Sequence, residues 1–406
     1  MRIIELLRGN EFDIHVATGR RFFSLFSELP VQMLEIKEGD SPEFFLRIDN
    51  GVPPFSPRTF ELMIEEDIKV LDEASPDIVF GDLRNSLTVS SRLKKIFFIN
   101  MSNAYWSSAV QGKTPVPLGP ISRYLSERMA SLFFVYFGKP MVRAICWFFV
   151  RPYQKIIDKK LLQTNLLNKQ ALKFTDYRDF NVDGDQTLFF DTPELVSLSV
   201  LRGHQKFMGP LLWSSQVPIP DWWSSLNRSK PWIFVGLGSS GQPQDLPVIV
   251  RALLKLDVEV LVSTGPASLD LPANPRLHCA PILPLGQLAD NIQLALTNGG
   301  SPTSYFALNC GVPVIGVVSN MDQVLTMSHI EASGAGLALR HGNLTELKVF
   351  KAVERVLGDE KFRKNAERIR KSFRDYDVEE NLNKMVREIL RERFPEEMSV
   401  PIERGS

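Results

Sequence analysis

From Trp232 to Gly336 the chain repeats one pattern: a short apolar run, a loop of small residues, then helical spacing. "WIFVGL" (232–237) is followed by the loop "GSSGQPQD" and by Leu246, Ile249, Leu253 and Leu256 on one helix face. "VEVLVSTG", "RLHCAPILP", "LALT" and "VPVIGVV" continue the series. Strands apolar at nearly every position are buried on both faces, and strands alternating with helices pair in parallel. The pattern predicts an α/β half with a parallel sheet flanked by helices. Beyond Gly336 it reads as wholly helical. Val349, Val353 and Val356 form one stripe, ended by Gly358; Phe362, Ala366, Ile369 and Phe373 form a second. Val378, Leu382, Met385 and Ile389 form a third, with Asp377 and Glu380 spaced as a capping box.

The first half is less regular. "FDIHVATG" (12–19), "DIVFGD" (77–82) and "IFFINMS" (96–102) read as strands, and "SLTVSSRLKK" as a helix. Residues from about 118 to 180 read as a mostly helical insertion. The segment "PLLWSSQVPIPDWWSSLNRSKP" (210–231) breaks both periods, and its tryptophans suit a packed linker rather than a loose tether. The expected division is an N-terminal domain over 1–212, a linker over 213–230, a C-terminal domain over 231–376, and a C-terminal helix and tail over 377–406 that packs back on the first domain.

A chain of 406 residues has length for two such cores. Its 47 basic and 47 acidic side chains cancel, which gives no reason to expect nucleic acid as a partner. Cys146, Cys279 and Cys310 lack metal-ligand spacing and read as buried thiols in a reducing compartment. "RIIELLRGNEF" after Met1 is too charged for a secretory core. In "MASLFFVYFGKPMVRAICWFFV" (129–150), Lys139, Pro140 and Arg143 intervene before the about 18 apolar residues that a spanning helix needs. Two readings remain for it: a pair of buried helices joined at Gly138-Lys139-Pro140, or an amphipathic helix lying on a membrane surface. A cytoplasmic location is expected, peripheral to the inner face of the membrane under the second reading.

The chemistry concentrates in "LTNGGSPTSYFALNCGVPVIG" (296–316). A strand ends at Thr297 and Asn298-Gly299-Gly300 makes the turn. Ser301 suits the N-cap, Pro302 the first helical position and Gly311 the position past the helix end. The free N–H groups and positive dipole of that helix start suit a phosphate, and Thr303 adds a hydroxyl. A tight α/β turn with no ligand fits these residues equally well. "GLGSSG" (236–241), with Gly238, Ser239 and Ser240, offers a second wall of backbone N–H groups across the same sheet edge. Asp322 and Gln323 in "SNMDQ" (319–323) suit sugar hydroxyls, or a helix cap.

"TNGGSPTSYFALNCGVPVIGVVSNMDQVLTMSHIEASGAGLAL" resembles the donor-binding segment of UDP-glycosyltransferase-like, GT-B-fold enzymes. "PWIFVGLGSSG" and "APILP" are similar to the family's first C-domain strand and its base-side loop. "PDIVFGDLRNSLTVSSRL", "INMSNAYW", "DTPEL" and "MGPLLW" resemble a bacterial branch of the group. The resemblance implies two Rossmann-like domains facing across a cleft. It implies transfer of a hexose-type sugar from a nucleotide diphosphate donor, a UDP- or dTDP-sugar, to an acceptor hydroxyl, with inversion, no metal and no prosthetic group. By the same resemblance Ser239, Gly300, Ser301 and Thr303 hold the pyrophosphate, with Gly238, Ser240, Asn298 and Gly299 around it. Ile282 meets the base, and Asp322 and Gln323 the sugar. Asp82 orients the catalytic base; a helix cap near Asn85 is its other reading. The aromatics of 129–153 and of "NAYW" (103–106) serve either an apolar acceptor, lipid or aromatic aglycone, or the core.

Three positions depart from the family pattern. Asn298 stands where a His is usual, and Phe306 where a ribose-binding Glu is usual. The opening "MRIIELLRGNEFDIHVATG" matches only the end of the family's first helix and its second strand. Roughly 15–20 residues of strand and Gly-rich, base-carrying loop are unmatched. Without that central strand, two neighbouring strands are expected to show unpaired edges. None of His15, His204, His278, His329 and His341 is placed to be the base. Either codons upstream of Met1 encode the strand and a His- or Asp-containing loop, or the chain binds a donor without efficient transfer. A non-catalytic nucleotide-sugar-binding subunit and another GT-B enzyme, such as a nucleotide-sugar epimerase, are the alternative readings.

Overall fold

The computed structural model describes residues 2–7, 12–36, 47, 52–112, 127–164, 172–212, 217–238, 240–265, 270–288 and 291–394. The N-terminal half runs α1 (Arg2–Leu7), β1 (His15–Thr18), β2 (Gln32–Glu35), α2 (Pro57–Ala74), β3 (Ile78–Asp82), α3 (Leu87–Lys94), β4 (Phe97–Ser102), α4 (Glu127–Leu162), α5 (Tyr177–Asn181), β5 (Gln186–Phe189) and β6 (Gln205–Phe207). The C-terminal half runs β7 (Trp232–Gly236), α6 (Leu246–Leu253), β8 (Glu259–Ser263), β9 (Leu277–Ala280), α7 (Leu285–Leu288), β10 (Ile292–Thr297), α8 (Ser301–Asn309), β11 (Val314–Val318), α9 (Met321–Ser333), β12 (Gly336–Arg340), α10 (Glu346–Gly358), α11 (Glu360–Arg374) and α12 (Val378–Arg393).

The C-terminal sheet is parallel throughout, in the order β12-β11-β10-β7-β8-β9. Chain direction reverses its sideways travel between β7 and β10, so the crevice beyond their carboxyl ends is a topological switch point. One face is covered by α6 and α10 through Ile249, Leu253, Val349 and Val353. The other face packs Leu308, Met327, Ile330 and Phe373, in a cluster that continues into Tyr105, Phe189 and Leu195 of the first half. A single apolar cluster therefore spans the two halves.

Gly336–Arg340 departs from the helical expectation. It is a strand, paired with β11 from Val314↔Gly336 to Val318↔Arg340. A Cβ on Gly336 would lie 2.3 Å from the Val314 carbonyl oxygen, so the glycine permits an approach that local propensity does not reveal. The three following helices form as expected, and the Asp377 carboxylate accepts from the Glu380 N–H at the start of the last. That helix, α12, lies on the first half: Leu382, Met385 and Ile389 pack with Leu6, Ile99 and Leu188.

The first half contains two separate parallel sheets, β1-β2 and β3-β4-β5-β6. α4 is one helix, with Pro140 and Pro152 inside it, and not two helices broken at Gly138-Lys139-Pro140. Nor is it buried all round: Val150, Tyr153 and Ile157 face the core, whereas Trp147 and Phe148 face solvent. Pro costs a helix one hydrogen bond, which the buried side of α4 offsets. Between the halves Trp223 meets Trp232 edge-on at 4.9 Å and Trp222 lies 5.1 Å from His278, so these indoles are packed. The three cysteines are free thiols and none is fully buried: Cys279 is exposed, and Cys146 and Cys310 are half-buried.

Candidate functional site

Two loops meet at the switch point. Gly238, after β7, has φ of 60° and Gly299, after β10, has φ of 82°, both in the left-handed region that favours glycine. A Cβ on Gly299 would lie 2.8 Å from both Met327 Cγ and Val318 Cγ1. The Asn298 amide donates to Ser240 Oγ at 2.9 Å and its carbonyl accepts from the Gly300 N–H at 3.1 Å, which ties the loops together. Thr297 Oγ1 accepts from the Gly299 N–H at 2.9 Å. Both glycine amides are thus bonded within the turn.

Helix α8 begins one residue earlier than expected: Gly300 is the N-cap, Ser301 the first helical residue and Pro302 the second. With Pro302 lacking an N–H, the amides of Ser301 and Thr303 are those at the helix start without an intrahelical acceptor. Gly311, past the other end, has φ of 70°. Ser239 lies outside the described residues. Ile282 is 52 % exposed on the loop after β9, away from the cavity below.

Asn320 caps α9, and Gln323 completes a capping box. The Gln323 carbonyl accepts from the Ser319 N–H at 2.7 Å, and its amide donates to the Ser240 carbonyl at 3.1 Å. Only 1 % exposed, that side chain is occupied with joining loops rather than turned to a ligand. Asp322, one residue before it, points the other way. Its Oδ1 accepts from the Tyr105 hydroxyl of the first half at 2.9 Å. Burial raises the Asp322 pKa, and the neighbouring Tyr105 and Trp106 side chains lower it in part.

Asp82 ends β3 and opens on the same space. α3 begins at Leu87 with Ser86 as N-cap, so Asp82 does not cap it. Leu83, the next residue, holds φ of 49°, an uncommon left-handed conformation for a non-glycine residue. Asp82 is exposed to the cavity; desolvation by the protein around it raises its pKa, and the negative charge of Asp322 raises it further. The cavity measures about 1460 Å³, and its lining includes Asp82, Tyr105, Trp106, Ser301, Tyr305 and Asp322. His15 to Thr18 and Ile78 to Gly81 border it as well. Successive residues of a strand point to opposite faces, so consecutive lining residues mean that the strand edges border the cavity. Among the described residues, β1 pairs only with β2 and β3 only with β4.

A third carboxylate lies near Asp322. Asp191, after β5, is fully buried. It accepts from the Tyr305 hydroxyl of α8 at 2.5 Å, from the Asn103 amide at 3.0 Å and from the Ala104 N–H. Burial pushes its pKa up to about 6 against these donors. The sequence offers Tyr105 only as one of the aromatics of "NAYW", and does not mark Asn103, Asp191 or Tyr305 as site residues. The chain separation of 114 residues between Asp191 and Tyr305 leaves no local signal. The histidines take other roles: His278 meets Glu259 at 2.7 Å, His341 meets Asp245 at 2.8 Å, and His329 is held neutral by burial, its pKa pushed down to about 4. His15 borders the cavity, with Nε2 3.2 Å from Asp13.

The structure thus brings Asp82, Ser301 and Asp322 to one cavity. Gly238, Ser240, Asn298, Gly299, Gly300 and Gln323 build the loop pair behind it. Thr303 is half-buried on the first turn of α8.

Residues 248–384 match the family model "Erythromycin biosynthesis protein CIII-like, C-terminal domain". A PGL/p-HBAD biosynthesis glycosyltransferase of Mycobacterium tuberculosis is 37 % identical over 369 residues, 90 % of this chain and 83 % of that protein. A PGL/p-HBAD biosynthesis rhamnosyltransferase of Mycobacterium bovis is 34 % identical over 376 residues, 91 % and 80 % of the two chains. An inactive PGL/p-HBAD biosynthesis glycosyltransferase of the same species is 35 % identical over 247 residues, 61 % of this chain and 64 % of that one. Among solved structures, the calicheamicin glycosyltransferase CalG4 superposes with a TM-score of 0.67 at 17 % identity, over 97 % of this chain and 94 % of that one. The Streptomyces glycosyltransferase SsfS6, complexed with thymidine diphosphate, has a TM-score of 0.61 at 15 % identity, over 95 % and 96 %. With relatives above 30 % identity along most of both chains, and a doubly wound switch point opening on paired carboxylates, the chain belongs to the UDP-glycosyltransferase-like, GT-B-fold glycosyltransferases.

Proposed function

We propose that this glycosyltransferase moves a hexose-type sugar from a UDP- or dTDP-sugar to a hydroxyl of an apolar acceptor, with inversion and without a metal. The observation that carries the reading is that Asp82 of one half and the α8 start and Asp322 of the other open on one cavity. Thymidine diphosphate in one structural relative and rhamnosyl transfer in a sequence relative's name support the donor class. The cavity's Phe22, Phe26, Phe55, Phe149 and Phe190 support an acceptor with an apolar body.

In this reading Asp82 acts on the acceptor's proton, taking it or orienting the group that takes it. Its raised pKa makes it a stronger base than a free carboxylate. The acceptor oxygen bonds to the anomeric carbon from the face opposite the leaving group, the carbon–phosphate oxygen bond breaks, and the charge passes to the diphosphate. The Ser301 and Thr303 N–H groups and the α8 dipole stabilise that charge, the task a metal performs elsewhere. Asp322 holds the sugar's hydroxyls. The donor is a substrate, and no prosthetic group takes part. A doubly charged donor does not cross a bilayer unaided, which supports a cytoplasmic reaction if the donor is made there.

The test is nucleotide release from a panel of UDP- and dTDP-sugars across a broad acceptor panel, with the product's anomeric configuration read by NMR. Release matched by an inverted glycoside is expected, and Asp82→Asn should lower kcat by about 100-fold or more at little change in donor affinity. Tight donor binding with no release from any pairing would leave a sugar-nucleotide-binding protein instead.

A further inference from the structure

Helix α4 turns an ordered stripe outward. Arg143, Trp147, Arg151 and Lys155 recur every fourth residue on its exposed side, with Phe148 beside them. Trp147 is 48 % and Phe148 67 % exposed. The Arg151 guanidinium lies over the Trp147 ring, 4.5 Å from its centroid. From Arg143 to Ile157 the sequence has three cations and no acidic residue, in a chain whose charges cancel overall. Further along, Lys159 and Lys160 are paired with Glu61 and Glu65 of α2, so the unpaired charge is confined to the aromatic stretch. Among the described residues no carboxylate pairs with Arg143, Arg151 or Lys155.

Two large exposed rings flanked by cations cost solvation in water and gain it at a headgroup layer, where rings enter the acyl boundary and cations meet phosphate. Cations spaced along one helix face beside exposed rings match a planar layer of phosphates above an acyl boundary. We propose that this stripe docks the first half on the surface of an anionic lipid bilayer. Among the described residues no helix is long and apolar enough to cross a membrane, so the contact is peripheral. The inner side of the same turns carries Ile145, Cys146 and Phe149, which line the large cavity. One helix diameter, about 10 Å, then separates lipid from the cavity wall. The docking does not depend on the sugar-transfer reading, and vesicle binding and nucleotide release are scored separately.

The test is co-sedimentation of the full chain with vesicles of phosphatidylglycerol and phosphatidylcholine, against vesicles of phosphatidylcholine alone. Binding to the anionic vesicles is expected, at least about tenfold weaker on the neutral ones and weakened by salt. The triple variant R143E/R151E/K155E should lose about tenfold or more, as should W147A/F148A. Leu347→Ala, which removes a similarly exposed side chain on α10, should change nothing. Thermal unfolding matching the parent confirms that these surface variants fold, and Phe148→Ser alone serves if the double variant does not. Equal binding to neutral vesicles, binding unaffected by both multiple variants, or no sedimentation with any vesicle would overturn the proposal.

Discussion

The Tyr305 hydroxyl on α8 lies 2.5 Å from Asp191 Oδ1 at the end of β5, a bond between the two halves formed where neither group meets bulk water. Asp191 therefore sets the position of the helix whose N-terminus faces the cavity, although it does not itself line it.

This buried acid makes stability depend on pH. Its folded pKa, about 6, stands above the ordinary value near 4, so folding favours the protonated form. Its stabilising contribution is full below about pH 4 and is lost as pH rises through about 6, by roughly 3 kcal/mol at most. Urea unfolding of the parent and Asp191→Asn between pH 4 and 7 should show the parent's relative stability falling across that window. A difference that stays flat with pH would contradict the assignment.

Tyr105→Phe removes a donor from Asp322 and keeps the buried ring. Stability should drop by about 1 kcal/mol. Donor turnover should fall by about tenfold, because Asp322 loses the bond that orients it. Steady-state kinetics with a saturating acceptor reads the second effect and thermal unfolding the first.

Thr303→Ala deletes a half-buried hydroxyl on the first turn of α8. Donor affinity measured by calorimetry should weaken by about three- to tenfold, with the unfolding temperature changed little. Unchanged affinity would place the diphosphate elsewhere.

Gly299→Ala tests the turn itself. An alanine there takes a left-handed φ and sets a Cβ 2.8 Å from Met327 Cγ and Val318 Cγ1. A loss of about 2 kcal/mol is expected in denaturant unfolding. Donor affinity should fall with it, since the turn carries the start of α8.

The C-terminal sheet was legible because fully buried parallel strands leave unbroken apolar runs such as "WIFVG" and "VIGVV". β5 and β6, four and three residues long, leave no such trace, and "GLALR" becomes a strand only through its pairing with β11. α2 carries its signals locally, an amphipathic period over 57–74 and a Ser56 cap. At the site, Asp82 and Asp322 stand out as acids at strand and helix ends. Gln323 reads equally as ligand or cap from sequence, and its burial shows the cap. The Tyr105–Asp322 and Asp191–Tyr305 bonds join residues 217 and 114 positions apart, and only the folded halves bring them together.

A phenol has one proton, and that of Tyr105 has two acceptors within reach: Asp322 at 2.9 Å across the cleft and Asn103 Oδ1 at 3.2 Å on its own side. When a sugar hydroxyl claims Asp322, or the halves part, a small rotation of the O–H hands the proton to Asn103. The hydroxyl keeps a partner in either state, so domain opening strands no polar group at this point. At Tyr105, unlike at the Tyr305–Asp191 bond, what resists separation is the apolar contact around the ring, which falls off smoothly with distance rather than breaking like a latch.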